Sequence, residues 1–211
     1  MALMIKRGFT LIELLVVITI LGILLALVVP TITGARQKAN AVKCLAQLRE
    51  WGGAVSGFQG DNSGLFPTTN WYATVAEYVG QSARWLPGGT SPRPSDGSIY
   101  SCPSSTAADF PANAPVKVGY AMNNLIYVAN RTTGPIGVPE LRRSHLAQPT
   151  RFVVLFDAKT PTAYGGQSDL LFRHGRTNNA NVLFADGSVL SVTNRVASGG
   201  KTLLWNPESA L

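Results

Sequence analysis

At 211 residues, with 45% apolar, 9% aromatic and 14% charged side chains, the chain holds enough apolar material for a core and too little charge for a disordered polyelectrolyte. Eighteen Lys and Arg against 11 Asp and Glu give a formal charge of +7, which raises nucleic acid or acidic polymers as partners. Those cations are scattered, with Arg142 and Arg143 the one adjacent pair beyond the N-terminal segment, and this favours a solvated basic surface over a nucleic-acid site.

Lys6, Arg7, Gly8, Phe9, Thr10, Leu11, Ile12 and Glu13 run straight into residues 14–29, sixteen positions in which Thr19 is the strongest polar group. Across residues 9–35 the one formal charge is Glu13. As a helix this stretch covers about 40 Å, ample for a hydrocarbon layer of about 30 Å. A cleavable secretory signal has an apolar run of about 7–15 residues ending in small side chains, whereas this run is longer and ends Val28-Val29-Pro30. An uncleaved single-pass anchor is the plain alternative. A lone carboxylate in such a segment is costly and marks a role with a specific partner.

The junction Gly8-Phe9-Thr10-Leu11-Ile12-Glu13, behind the basic pair Lys6 and Arg7, resembles the leader of type IV prepilins and type II secretion pseudopilins. The resemblance implies that a prepilin peptidase cuts between Gly8 and Phe9 and methylates the new amine, leaving 203 of the 211 residues. It also implies that Glu13 is the assembly residue. The amine of one subunit would neutralise the buried carboxylate of its neighbour, offsetting the desolvation of both. Positive charges flank the span on both sides, Lys6 and Arg7 before it and Arg36, Lys38 and Lys43 after it, so charge counting leaves orientation open. The resemblance implies a single pass through the inner membrane with the C-terminal part in the periplasm. Its implied partners are the peptidase, the lipid bilayer, identical or related subunits and an inner-membrane assembly platform.

Beyond the span, Val42, Leu45, Leu48, Trp51, Val55 and Phe58 recur every three or four residues, the period of an amphipathic helix. One helix from about Phe9 to about Gly57 is expected, with Gly22 and Pro30 as the places for a bend or local melting. The expected divisions are a leader at residues 1–8, a transmembrane or filament-core half at 9–35, an amphipathic half at 36–58 and a head at 59–211.

The head is rich in Gly, Pro, Ser and Asn as far as residue 124, with prolines at Pro87, Pro92, Pro94, Pro103, Pro111 and Pro115. Trp71, Tyr72, Tyr78, Trp85, Tyr100, Tyr120 and Tyr127 argue that it is folded, with aromatic side chains anchoring loops to the helix. Strands are expected at residues 151–157, 169–174, 181–185 and 188–192. Asp186-Gly187 between the last two is a hairpin signal of the type I′ kind. The fold class is therefore α+β: a long N-terminal helix against an antiparallel sheet with long loops.

The tail resembles the H-x9-DG pattern of many prepilin-like proteins, although eleven residues separate His174 from Asp186-Gly187 here. His174 with Asp186 would be half of a hydrolytic triad, but no G-x-S-x-G elbow, H-E-x-x-H pair or C-x-x-C run accompanies them. No catalytic residue is assigned and the chain is read as not an enzyme. His174 is expected to close the loop before the last hairpin while Asp186 supplies its turn. Cys44 and Cys102 are candidates for a disulfide across a separation of 58 residues, with two buried thiols as the other reading. No cofactor is expected. Calcium is a possibility that the resemblance to major pseudopilins carries, with Asp157, Asp169 and Asp186 as the candidate ligands and no D-x-D-x-D-G run to support them. The reading is a secretion pseudopilin. The alternatives are a pilin of a surface fibre and a membrane-anchored module that binds DNA or polysaccharide without polymerising.

Overall fold

The structure, a computed structural model, describes residues 10–67, 71–80, 99–106, 109, 118–126, 141–158, 164–174, 179–193 and 203–205. Gly8, Phe9, Trp85, Tyr127 and the prolines at 87, 92, 94, 111 and 115 lie outside these. The chain divides into two compact units, Met1–Lys38 and Ala39–Leu211.

A single helix, α1 (Leu11–Asp61, 51 residues), runs from the first unit into the second. In the first unit its large apolar side chains are 45–84% exposed, from Val28 at the low end to Leu11 at the high end. The hydroxyls of Thr19, Thr31 and Thr33 donate to the carbonyls of Leu15, Val28 and Val29 at 2.6, 2.7 and 3.2 Å. Their polarity is thus turned into the helix and the outer surface is left apolar. The helix is long and apolar enough to cross a membrane. It continues without interruption through Gly22 and Pro30, although proline has no N–H to offer the carbonyl of Ala26.

In the second unit α1 buries Cys44, Gln47, Leu48, Trp51, Ala54, Val55 and Gln59. The expected stripe is corrected at its start, since Val42 is 67% exposed and Leu45 only half-buried. Two glutamines sit on the buried face, which is why a purely apolar count misplaces it. Gly52 also belongs to that face. A Cβ there would stand 2.8 Å from Leu183 Cδ1, so glycine permits the close approach of helix and strand. The helix ends past the expected Gly57, where Gly64 N–H donates to the carbonyl of Gln59 at 2.7 Å and the Asn62 amide to that of Phe58 at 2.8 Å.

A short helix, α2 (Trp71–Thr74), follows. The sheet has five strands: β1 (Tyr120–Asn123), β2 (Val153–Asp157), β3 (Tyr164–Gly165), β4 (Asn179–Phe184) and β5 (Val189–Thr193). Their order is β3-β1-β2-β4-β5, with β1 and β3 parallel and every other pair antiparallel. Between β2 and β4 the register steps from Val153↔Phe184 to Leu155↔Leu183, leaving Val154 as a bulge. The bulge lets Val153 and Phe156 point to one face and Val154 and Leu155 to the other. One face carries Tyr120, Met122, Val154, Leu155 and Leu183 into the core with α1. The opposite face gathers Val153, Phe156, Val182, Phe184 and Trp205 into a second cluster.

The expected strand at residues 169–174 does not form. Gln167–Asp169 is a 3-10 turn, and the stretch touches the sheet through two isolated bridges, Ala158↔Leu170 and His174↔Asn179. The last hairpin is present but its turn is not type I′. Gly187 has φ +88° and Asp186 is not in the left-handed region, while Gly187 N–H donates to the Phe184 carbonyl at 3.0 Å and Phe184 N–H to that of Ser188 at 2.9 Å. A type I turn closing on a left-handed glycine satisfies this three-residue loop. Trp51 lies 5.1 Å from both Trp71 and Tyr100 and donates to the Ile99 carbonyl at 3.1 Å, so aromatic side chains tie loops to the helix.

Candidate functional site

At the start of α1, Thr10 N–H and Thr10 Oγ1 both donate to Glu13 Oε2 at 2.8 Å, and Glu13 N–H returns to Thr10 Oγ1 at 3.3 Å. This is a reciprocal capping box, which satisfies helix donors that have no intrahelical acceptor. The Thr-x-x-Glu spacing before an apolar run is its sequence signal, and the reading of Glu13 as a lone acid overlooked it. Glu13 lines a shallow groove with Ile12, Val16 and Val17. The cap therefore gives the carboxylate two donors within its own chain and leaves it exposed on an apolar surface.

Within the second unit a separate polar cluster is sealed in the core. Cys44 on α1 and Cys102 in a loop are joined as a disulfide with Cα atoms 5.2 Å apart. His174 Nε2 stands 3.7 Å from Cys102 Sγ and 2.8 Å from Asp157 Oδ2. Asp157 Oδ2 also accepts from the backbone N–H of Asn181 at 2.7 Å. Because an ionised carboxylate can only accept, Nε2 is the protonated ring nitrogen. Burial pushes the Tyr120 phenol well above its ordinary value, and the charge of Asp157 adds to that while Arg173 partly offsets it. Tyr120 pairs with Asp157 across β1 and β2, and its hydroxyl donates to Gln47 Oε1 at 2.8 Å.

The side-chain partner of His174 is Asp157, so the half-triad that His174 and Asp186 would make is not assembled. The His174 backbone exchanges hydrogen bonds with that of Asn179 at 2.9 and 2.7 Å. Asp186 supplies the turn, its Oδ1 accepting from Ser188 N–H at 2.9 Å and Ser188 Oγ at 2.6 Å. Cys102, His174 and Asp157 together suggest a thiol triad, but both partners face the same ring nitrogen and the sulfur is bonded to Cys44. A relay needs the base and its orienting acid on opposite nitrogens.

The calcium candidates each have partners of their own, Asp157 in His174 and Asn181, Asp169 in Gly166 N–H at 2.9 Å and Asp186 in Ser188, and among the described residues they do not gather as a ligand group. They do not fit a cation that gathers about six to eight oxygens. Of the basic pair, Arg142 donates to the Ser63 carbonyl at 2.6 Å, tying its loop to the end of α1. Arg173 pairs with Asp109 at 3.5 Å and also donates to Ser105 and to the Ala158 carbonyl.

Residues 3–29 match the family model described as the prokaryotic N-terminal methylation motif. The chain is also similar to the type II secretion system core protein G of several bacteria. Identity is 47% over 64 residues for the Klebsiella pneumoniae protein, covering 30% of this chain and 45% of that one. For the Escherichia coli K12 protein it is 42% over 65 residues, 31% of this chain and 44% of the relative. The Vibrio cholerae protein is 41% identical over 65 residues, with the same two shares. The chain thus spans a little under half the length of the curated relatives it matches. No solved structure matches it.

Proposed function

We propose that the chain is a pilin-like structural subunit of the secretion pseudopilin kind, anchored by α1 and assembled through it. The observation that carries this reading is the methylation motif across residues 3–29, which runs into the start of a helix whose apolar surface its own unit leaves uncovered. The likeness to type II secretion core protein G favours a secretion filament over a surface fibre. In this reading prepilin peptidase cuts between Gly8 and Phe9 and methylates the Phe9 amine. The head lies in the periplasm, and subunits leave the inner membrane at an assembly platform to join a filament of identical or related copies. Glu13, capped by Thr10 before assembly, exchanges that neutral hydroxyl for the cationic amine of a neighbouring subunit, a charge-assisted and stronger partner in an apolar surrounding. The work of the subunit is assembly, with no reaction of its own.

The test is intact-mass and N-terminal analysis of the protein made with and without a prepilin peptidase. A peptidase-dependent species that starts at Phe9 and is heavier by one methyl group is expected. Retention of Met1 to Gly8 in both would leave a permanent anchor and remove the filament reading.

A further inference from the structure

Cys44, Cys102, His174 and Asp157 come from four separate stretches of chain and are 0%, 1%, 3% and 0% exposed. The proposed assembly through Glu13 and the exposed apolar start of α1 involves none of them. Both sulfurs and a ring nitrogen of His174 lie within 4.8 Å of one another. Asp157 Oδ2 approaches the same Nε2 that faces Cys102 Sγ, at 2.8 and 3.7 Å. In a tetrahedral zinc site, with Zn–S about 2.3 Å and Zn–N about 2.0–2.1 Å, sulfur and nitrogen stand about 3.6 Å apart. A structural disulfide by itself gives no reason to bury a His–Asp pair against it. Burying the pair is costly.

We propose that in the reduced chain Cys44, Cys102, His174 and Asp157 form a four-ligand site for a thiophilic divalent cation of the zinc class, so that disulfide and metal are alternative occupants of one cage. A phosphine or dithiol reductant supplies two electrons, and with two protons the sulfur–sulfur bond becomes two thiols. The cation then binds both sulfurs as thiolates and releases those two protons to solvent. It takes the place of the Nε2 proton between His174 and Asp157, and that proton moves to Nδ1, leaving the ring neutral. Two thiolates, one imidazole and one carboxylate are a donor set that suits zinc and cobalt and disfavours calcium and magnesium.

The experiment uses the full-length chain in detergent, reduced with a phosphine, freed of metal and kept anaerobic, with cobalt(II) as the probe. One equivalent should bind and give thiolate-to-cobalt absorption in the near ultraviolet with the visible bands of a tetrahedral ion, and zinc should bleach both. The oxidised chain should give neither. His174→Ala and Asp157→Asn should each weaken binding at least about tenfold, while His145→Ala leaves it unchanged. X-ray absorption of the zinc-loaded wild type, which needs no variant to fold, should report two sulfur and two nitrogen or oxygen neighbours. A reduced and folded chain that binds no cobalt, equal affinity after His174→Ala, or a shell of another composition would overturn the proposal. If reduction unfolds the head, cobalt should restore its circular dichroism, and failure to do so overturns it as well.

Discussion

Asp157 joins two separate segments of the head, because its Oδ2 holds both His174 and the Asn181 N–H. Asp157→Ala would leave two buried donors without an acceptor and should cost about 3 kcal/mol of head stability, read from denaturant unfolding. Tyr120 beside it sets a limit on the alkaline side. Its phenol is raised above the usual value in the folded chain by burial and by Asp157, so below about pH 10 both folded and unfolded chains keep the proton and stability does not change. Above that the unfolded chain ionises first, and stability should fall by up to about 1.4 kcal/mol per pH unit for this phenol. Tyr72 and Tyr100, raised by burial, add to the slope. Tyr120→Phe should flatten that limb in pH-dependent melts while costing about 1 kcal/mol at neutral pH for the hydrogen bond to Gln47. Glu13 was legible as a lone acid in an apolar run, and the Thr10 cap was equally legible from its spacing. The His174–Asp157 pair was not, since it joins β2 to a bridge residue 17 positions away with no motif to signal it.

The hairpin of β4 and β5 could be read from sequence because alternating apolar residues flank Asp186-Gly187, yet the turn type could not. Type I with a left-handed Gly187 and type I′ share the same dipeptide signal. The other strands were harder. β3 has two residues, β1 sits in a Gly- and Pro-rich stretch, and residues 169–174 have strand composition without a continuous partner. Contact between α1 and the sheet depends on Gly52 and not on its neighbour Gly53. Gly53 has open space around its absent Cβ, whereas at Gly52 that atom would meet Leu183. Gly53→Ala should stabilise by about 0.5–1 kcal/mol through helix propensity. Gly52→Ala should fall below it by about 1–3 kcal/mol, because overpacking a buried contact outweighs the same gain. Thermal melts of the two variants decide this.

The long helix and the α+β class followed from hydrophobic spacing and the hairpin, while the sheet order and the two-sided core rest on pairings between distant segments that periodicity does not encode. Because the chain divides at Lys38 and Ala39, residues 39–211 produced alone under oxidising conditions should fold with one cooperative transition. Breaking the disulfide with Cys44→Ser should lower that transition by about 4 kcal/mol in the chain-entropy account of a loop this long. If the proposed filament assembles through Glu13, full-length Glu13→Gln should still enter the membrane but lose the cross-linking of neighbouring subunits that the unsubstituted chain gives. Cys44 is also the first residue of α1, counted from the division, to be fully buried in the head. A tensile load passed down the helix therefore meets a covalent bridge to Cys102 one turn past the hydrogen bond of Asn40 to the Pro103 carbonyl at 3.3 Å. The head is gripped there as a block, and a pull on the helix cannot peel it away one contact at a time.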